Sequence, residues 1–147
     1  MNIVLGFDDS PHAQAALQWI CRQRWPEATR VMVVSAVRTP ITAYAEVYAP
    51  AAPYPAEVAG ELTRHYEELD QGAMATLRQA GLLASSKVLQ GDAREVLVEV
   101  ARAEGADLLV VGSHGRTGLA RLLLGSVAAH VVGHAPCTVV VVKRPAV

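Results

Sequence analysis

Val110-Val111-Gly112-Ser113-His114-Gly115-Arg116-Thr117-Gly118, followed past a leucine-rich run by Gly125-Ser126, is the stretch that decides how this chain folds. Val110-Val111 reads as the end of a buried strand that opens into a glycine loop. Gly125-Ser126 reads as a small-residue pair just before a helix. Glycines let backbone N–H groups approach a phosphate chain closely, and a helix start offers unpaired N–H groups and the positive end of a dipole to the same anion. Gly112 is expected to end the strand, Gly115 to take a positive φ, and Gly118 to turn the chain again. Gly125 is expected to clear space where a phosphate meets the helix, and Ser126 to cap that helix or donate its hydroxyl. Leu119, Leu122, Leu123 and Leu124 are expected to tie the loop to the core. Glycines also serve ordinary turns, so the loop alone leaves a purely structural reading open. It is not a Walker A loop, because no Gly-Lys-Ser/Thr occurs, and a dinucleotide fingerprint would follow the first strand.

Outward from this stretch the chain alternates strands and helices. Residues 2–8 predict a first strand, and Ser10-Pro11 a helix N-cap with proline at the first helical position. Ala13, Ala16, Leu17 and Ile20 share one face of a helix that runs to about Arg24. Arg30 to Val37 predicts a second strand, and Val31-Met32-Val33-Val34 lacks polar alternation, as a central parallel strand does. From Arg38 to Pro55 prolines and alanines predict a long loop, either a lid or an insertion. A helix is expected over 56–80 with Gly81 at its end. A more polar edge strand follows over 85–90, then a helix opened by Asp92-Ala93-Arg94-Glu95. Strands at 107–112 and 138–143 flank a helix from Ser126. This pattern predicts one α/β domain over 1–147, a doubly wound, Rossmann-like five-stranded parallel sheet with helices on both faces. In the order 3-2-1-4-5, ligands bind where the chain reverses between strands 1 and 4, beside Asp8 and Gly112.

Composition narrows the partners. Of 147 residues 52% are hydrophobic and 5% aromatic, so the core is aliphatic. A net charge of −1 without a basic cluster argues against nucleic acid. No apolar run approaches the roughly 20 residues of a membrane helix, and no signal peptide is evident, so a cytoplasmic location is expected. Cys21 and Cys137 fit no metal spacing and are expected as small buried hydrophobes rather than a disulfide. His12, His65, His130 and His134 also lack metal spacing and are expected as surface or packing residues, and Asp9 as a solvated turn residue.

Together these residues resemble the universal stress protein family, in its single-domain, ATP-binding bacterial form. The family signature is Gly, two residues, Gly, nine residues, then Gly followed by Ser or Thr. Gly112, Gly115, Gly125 and Ser126 meet it, and the resemblance extends from the opening strand ending in Asp8-Asp9-Ser10 to the closing valines. Thr138, where many relatives carry proline, departs from the pattern at the entry to the last strand. The resemblance implies ATP as ligand, with AMP or ADP as alternatives and Mg²⁺ compatible with ATP. It places Asp8 near the ribose with Ser10 beside it, and Val37 in the adenine pocket. It has Val111, Gly112, His114, Gly115 and Arg116 wrapping ribose and phosphates, with Gly125, Ser126 and Val127 holding the phosphates. It further implies a homodimer through the last strand, 138–143, whose flat valine run at a sheet edge would invite self-pairing.

The residues argue for holding a nucleotide more than for consuming one. No Ser/His/Asp arrangement is legible, and adjacent Asp8 and Asp9 point to opposite faces if they continue a strand. The reading is a nucleotide-binding stress-response regulatory protein. A slow ATP hydrolase acting by positioning alone and a nucleotide-independent dimeric interaction protein remain the alternatives. A phosphoacceptor receiver would need an exposed Asp after strand 3, where only Asp92 stands, and that residue is committed as a helix cap.

Overall fold

A computed structural model describes residues 1–38, 56–116 and 123–145. In chain order the elements are β1 (Asn2–Gly6), α1 (Pro11–Arg22), β2 (Arg30–Val37), α2 (Ala56–Gln79), β3 (Leu83–Gln90), α3 (Ala93–Ala103), β4 (Leu108–Gly112), α4 (Ser126–His134) and β5 (Thr138–Val142). The strands form one parallel sheet in the order β3-β2-β1-β4-β5. This is the expected order, with the polar strand β3 at one edge and the valine strand β5 at the other. The proline-rich connection expected over 38–55 lies outside the described residues beyond Arg38, as do Thr117, Gly118, Leu119 and Leu122.

Strand alternation sorts the apolar side chains onto two faces. Ile3, Leu5, Val31, Val33, Leu108 and Val110 pack with Ala13, Ala16, Leu17 and Ile20 of α1 and Ala73, Met74 and Leu77 of α2. Val4, Val34, Leu109 and Val111 pack on the opposite face with Val96, Leu97, Val100 and Ala101 of α3 and Ala128 and Val131 of α4. Cys21 packs against the first cluster and Cys137 against the second. The sheet therefore separates the two cysteines, which are free and half-buried rather than buried as expected. Burial pushes both thiols up, away from the thiolate form that reacts.

Local signals account for the element ends. Ser10 Oγ accepts from the Ala13 N–H at 3.1 Å and caps α1, with proline in the first turn. Asp92 caps α3 by accepting from the Arg94 N–H at 2.9 Å. Its bonds with Arg94 hold the Asp92 carboxyl well below the usual range, at about 2. Gly81 ends α2 with a φ of 83°, a conformation that favours glycine. The first strand is shorter than the expected 2–8, although the Phe7 N–H still donates to the Val34 carbonyl at 2.9 Å. Asp8 thus leaves the sheet and is free to turn towards β4.

Candidate functional site

Two glycines let the starts of α1 and α4 lie close against the end of β4 and the loop that follows it. A Cβ on Gly112 would sit 2.6 Å from the carbonyl carbon and 2.7 Å from the carbonyl oxygen of His12, so the first turn of α1 presses directly on the end of β4. A Cβ on Gly125 would sit 3.1 Å from His114 Cα and 3.2 Å from the Ser113 oxygen. The Gly125 N–H donates to that Ser113 oxygen at 2.7 Å, which ties the start of α4 to the loop after β4. Gly112 thus requires a missing side chain for close backbone approach, and Gly125 sits in a tight fit that favours one.

Three expectations change here. Gly115 has no positive φ; its bare Cα instead leaves room for Asp8, whose Oδ2 would lie 3.4 Å from a Cβ. Ser126 does not cap α4: Gly125 is the N-cap, in an extended conformation and without a side-chain cap bond. Ser126 and Val127 therefore contribute first-turn N–H groups at the positive end of the helix. Of the described leucines of that run, Leu124 packs on the second core cluster while Leu123 is 88% exposed.

Between these elements lies a cavity of about 500 Å³, in the range typical of small-molecule sites. Asp8, Val111, Gly112, His114, Gly115, Arg116, Gly125, Ser126 and Val127 all line it. Ser10 and Val37 do not. Ser10 is buried with its hydroxyl committed to the α1 cap. Val37 is buried too, and the alternation of β2 instead turns Val34 and Ala36 to the cavity. Val34, Ala36, Leu97, Val111 and Val127 give the cavity apolar lining, and the glycine loop and the start of α4 line it as well.

Asp8 is oriented by its own turn, its Oδ1 accepting from the Ser10 N–H at 2.9 Å. Arg116 is paired through Nε with Asp9 Oδ1, and its Cζ lies 5.2 Å from the Tyr66 ring centroid. Asp9 is therefore an ion-pair partner rather than merely a solvated turn residue. Burial raises the Tyr66 hydroxyl above its ordinary value; Arg116 acts against this, and Asp9 and Asp8 add to it. His114 is joined to Ser113, with Nδ1 3.1 Å from Oγ, and His12 Nδ1 lies 3.3 Å from the same hydroxyl. The two rings are 5.2 Å apart. One hydroxyl proton can satisfy only one of these imidazoles, so at least one of them donates to Ser113 Oγ whenever both bonds form.

Several lining residues have no signal in a single sequence. Tyr66 sits in the middle of an amphipathic helix, where it reads as core. Arg38 reads as the start of a loop, yet it lines the cavity and pairs with Asp92 at 3.6 Å. Among the described residues no group of three or more His, Cys, Asp or Glu side chains could hold a metal ion. Nor is any helix among them long and apolar enough to cross a membrane.

The family profile of universal stress proteins matches residues 1–143. The chain belongs to the universal stress protein family. Among its relatives, universal stress protein MJ0531 of Methanocaldococcus jannaschii is 39% identical over 113 residues, 69% of this chain and 66% of that protein. Universal stress protein Rv2623 of Mycobacterium tuberculosis is 31% identical over 97% of this chain and 47% of its own length. This universal stress protein thus spans between about half and two thirds of those two relatives.

The solved structure of MJ0577 superposes with a TM-score of 0.84 at 26% identity, covering 99% of this chain and 97% of the other. Two further structures show the same fold with adenine nucleotides of their own. The Archaeoglobus fulgidus universal stress protein in complex with dAMP has a TM-score of 0.70 at 21% identity, over 97% and 98% of the two chains. The Arabidopsis thaliana family protein with AMP bound has a TM-score of 0.68 at 18% identity, over 99% and 93%.

Proposed function

We propose that this universal stress protein binds an adenine nucleotide, ATP foremost, between the carboxyl ends of β1 and β4, and acts as a nucleotide-responsive regulator rather than an enzyme. The observation that carries this reading is the convergence of Asp8, the 112–116 loop and the start of α4 on one cavity with apolar lining. In this reading the base lies against Val34, Ala36 and Leu97. Asp8 accepts from the ribose hydroxyls, an acceptor meeting donors. The phosphates meet the backbone N–H groups of Ser126 and Val127 and the guanidinium of Arg116. The dAMP and AMP complexes of related folds support an adenine nucleotide as the class.

Mg²⁺ fits this site only as a companion of the phosphates. Asp8 is the one carboxylate among the described lining residues, and Mg²⁺ is commonly bound by one or two carboxylates plus phosphate oxygens. Ser113 is buried and its hydroxyl is engaged by His12 and His114, so among the described residues that loop serine is not offered to the phosphates as a nucleophile. The regulator reading therefore stands ahead of the slow hydrolase. We further propose a cytoplasmic homodimer joined through β5, whose outer edge is unpaired in the sheet and carries four valines in succession.

Isothermal titration of ATP into nucleotide-free protein tests the binding claim, together with mass spectrometry of whatever copurifies with it. Saturable heat or a copurified adenine nucleotide is expected. No heat and no thermal shift at millimolar ATP would overturn the reading.

A further inference from the structure

We propose that Asp9 holds Arg116 in reserve at the mouth of the cavity, so that the site admits ligands according to the negative charge they bring to its loop end. The inference rests on the nucleotide reading of the cavity and concerns how that site selects. Arg116 lines the cavity, but its Nε is bonded to a carboxylate that does not. The Tyr66 ring, 8% exposed, lies under the guanidinium as a fixed platform. On that platform the guanidinium can turn between Asp9 outside and a ligand inside without losing its aromatic contact.

Charge makes this a competition. Asp8, Asp9 and Arg116 all act on the Tyr66 hydroxyl, so two carboxylates and one cation share this corner. A neutral nucleoside offers Arg116 nothing better than Asp9 and leaves the pair intact. A phosphate chain offers several negatively charged oxygens in a geometry the guanidinium can grip with two bonds. The side chains of Arg116 and Asp9 are 45% and 43% exposed, which puts the pair in contact with water. Exposed pairs of this kind shift an equilibrium by a factor of about two to five, enough to bias ligand choice and small enough for a ligand to overcome. Asp9 is thus a built-in competitor for anionic ligands and is silent towards adenosine.

The test is a double-mutant cycle read by titration calorimetry, with ATP and adenosine as the two probes, on wild type, Asp9→Asn, Arg116→Gln and the double variant. Both changes lie on exposed side chains, and circular dichroism checks that each variant folds. Asp9→Asn is expected to tighten ATP by about two- to fivefold and to leave adenosine unchanged. In the Arg116→Gln background the same change is expected to gain nothing. An equal gain with Arg116 absent would mean plain repulsion between Asp9 and phosphate, and would overturn the proposal. So would an equal change for adenosine, or no gain at all. If wild type binds neither probe, the cavity reading itself fails and takes this inference with it; if it binds both and ignores Asp9, only this inference fails.

Discussion

Asp70 gives the sharpest prediction about what holds the site's surroundings together. It is fully buried on α2, one turn beyond the cavity-lining Tyr66. Its Oδ1 lies 2.7 Å from Ser35 Oγ, and that hydroxyl lies 2.9 Å from the Phe7 carbonyl, which can only accept. Ser35 has a single proton to give. If it goes to Phe7, the bond to Asp70 forms only when Asp70 carries a proton and donates it. The other carboxyl oxygen has no hydrogen-bond partner among the described residues, which is more costly for a charged carboxylate than for a neutral acid.

Burial pushes the Asp70 carboxyl up to about 6, only partly offset by the Ser35 bond. The folded protein therefore holds this proton more tightly than the unfolded chain. Stability is greatest below the unfolded value near 3.8 and is lost as pH rises through about 6. The two-unit gap corresponds to roughly 3 kcal/mol withheld at neutral pH and above. Asp70→Asn keeps the shape, supplies an amide donor to Ser35 and removes the titration. Urea denaturation should find it more stable than wild type by about 2–3 kcal/mol near pH 8, with the advantage shrinking towards zero near pH 4. A variant that is less stable at high pH, or a difference that does not change with pH, would refute the proton count at Ser35.

Three other perturbations address the frame of the site and its edge. Gly112→Ala places a Cβ 2.6 Å from the His12 backbone, which cannot yield as a side-chain tip can, so thermal unfolding should show a loss of about 1–3 kcal/mol or more. Ser10→Ala removes the α1 cap and should cost about 1 kcal/mol in denaturant titration, while Ser10→Gly should cost only a few tenths. Val141→Lys puts a charge on the edge strand β5, and light scattering should report monomer; an unchanged dimer would count against pairing through this strand.

The parts of this architecture legible in the chain were those governed by runs and spacings. Uninterrupted aliphatic stretches such as Leu108–Val111 announced parallel strands, and Ser10-Pro11, Gly81 and Asp92 marked helix ends where the observed caps lie. The glycines were legible as a group but not each in its role. Gly112 is required by the His12 backbone, a hundred residues away, and Gly125 packs tightly on the 113–115 backbone, whereas a single chain suggests only turns.

Side-chain direction at the strand end was not legible either. Val37 and Ala36 are both small and apolar, and the register of β2 alone turns Ala36 to the cavity. Tyr66 and Asp70 sit a helical turn apart on α2, and their contacts with Arg116 and Ser35 are fixed by how that helix docks. The pairing of Asp9 with Arg116 likewise joins residues more than a hundred positions apart.

The central claim is that one cavity, at the carboxyl ends of β1 and β4, takes an adenine nucleotide. Amide chemical-shift mapping by NMR during ATP titration tests it most directly, because it reports place as well as binding. The largest shifts are expected at 112–116 and 125–128, with Val34 and Ala36 responding at the base end. Shifts confined to the opposite ends of the strands, around Asn2, Arg30 and Ser85, or no shifts at saturating ATP, would contradict it.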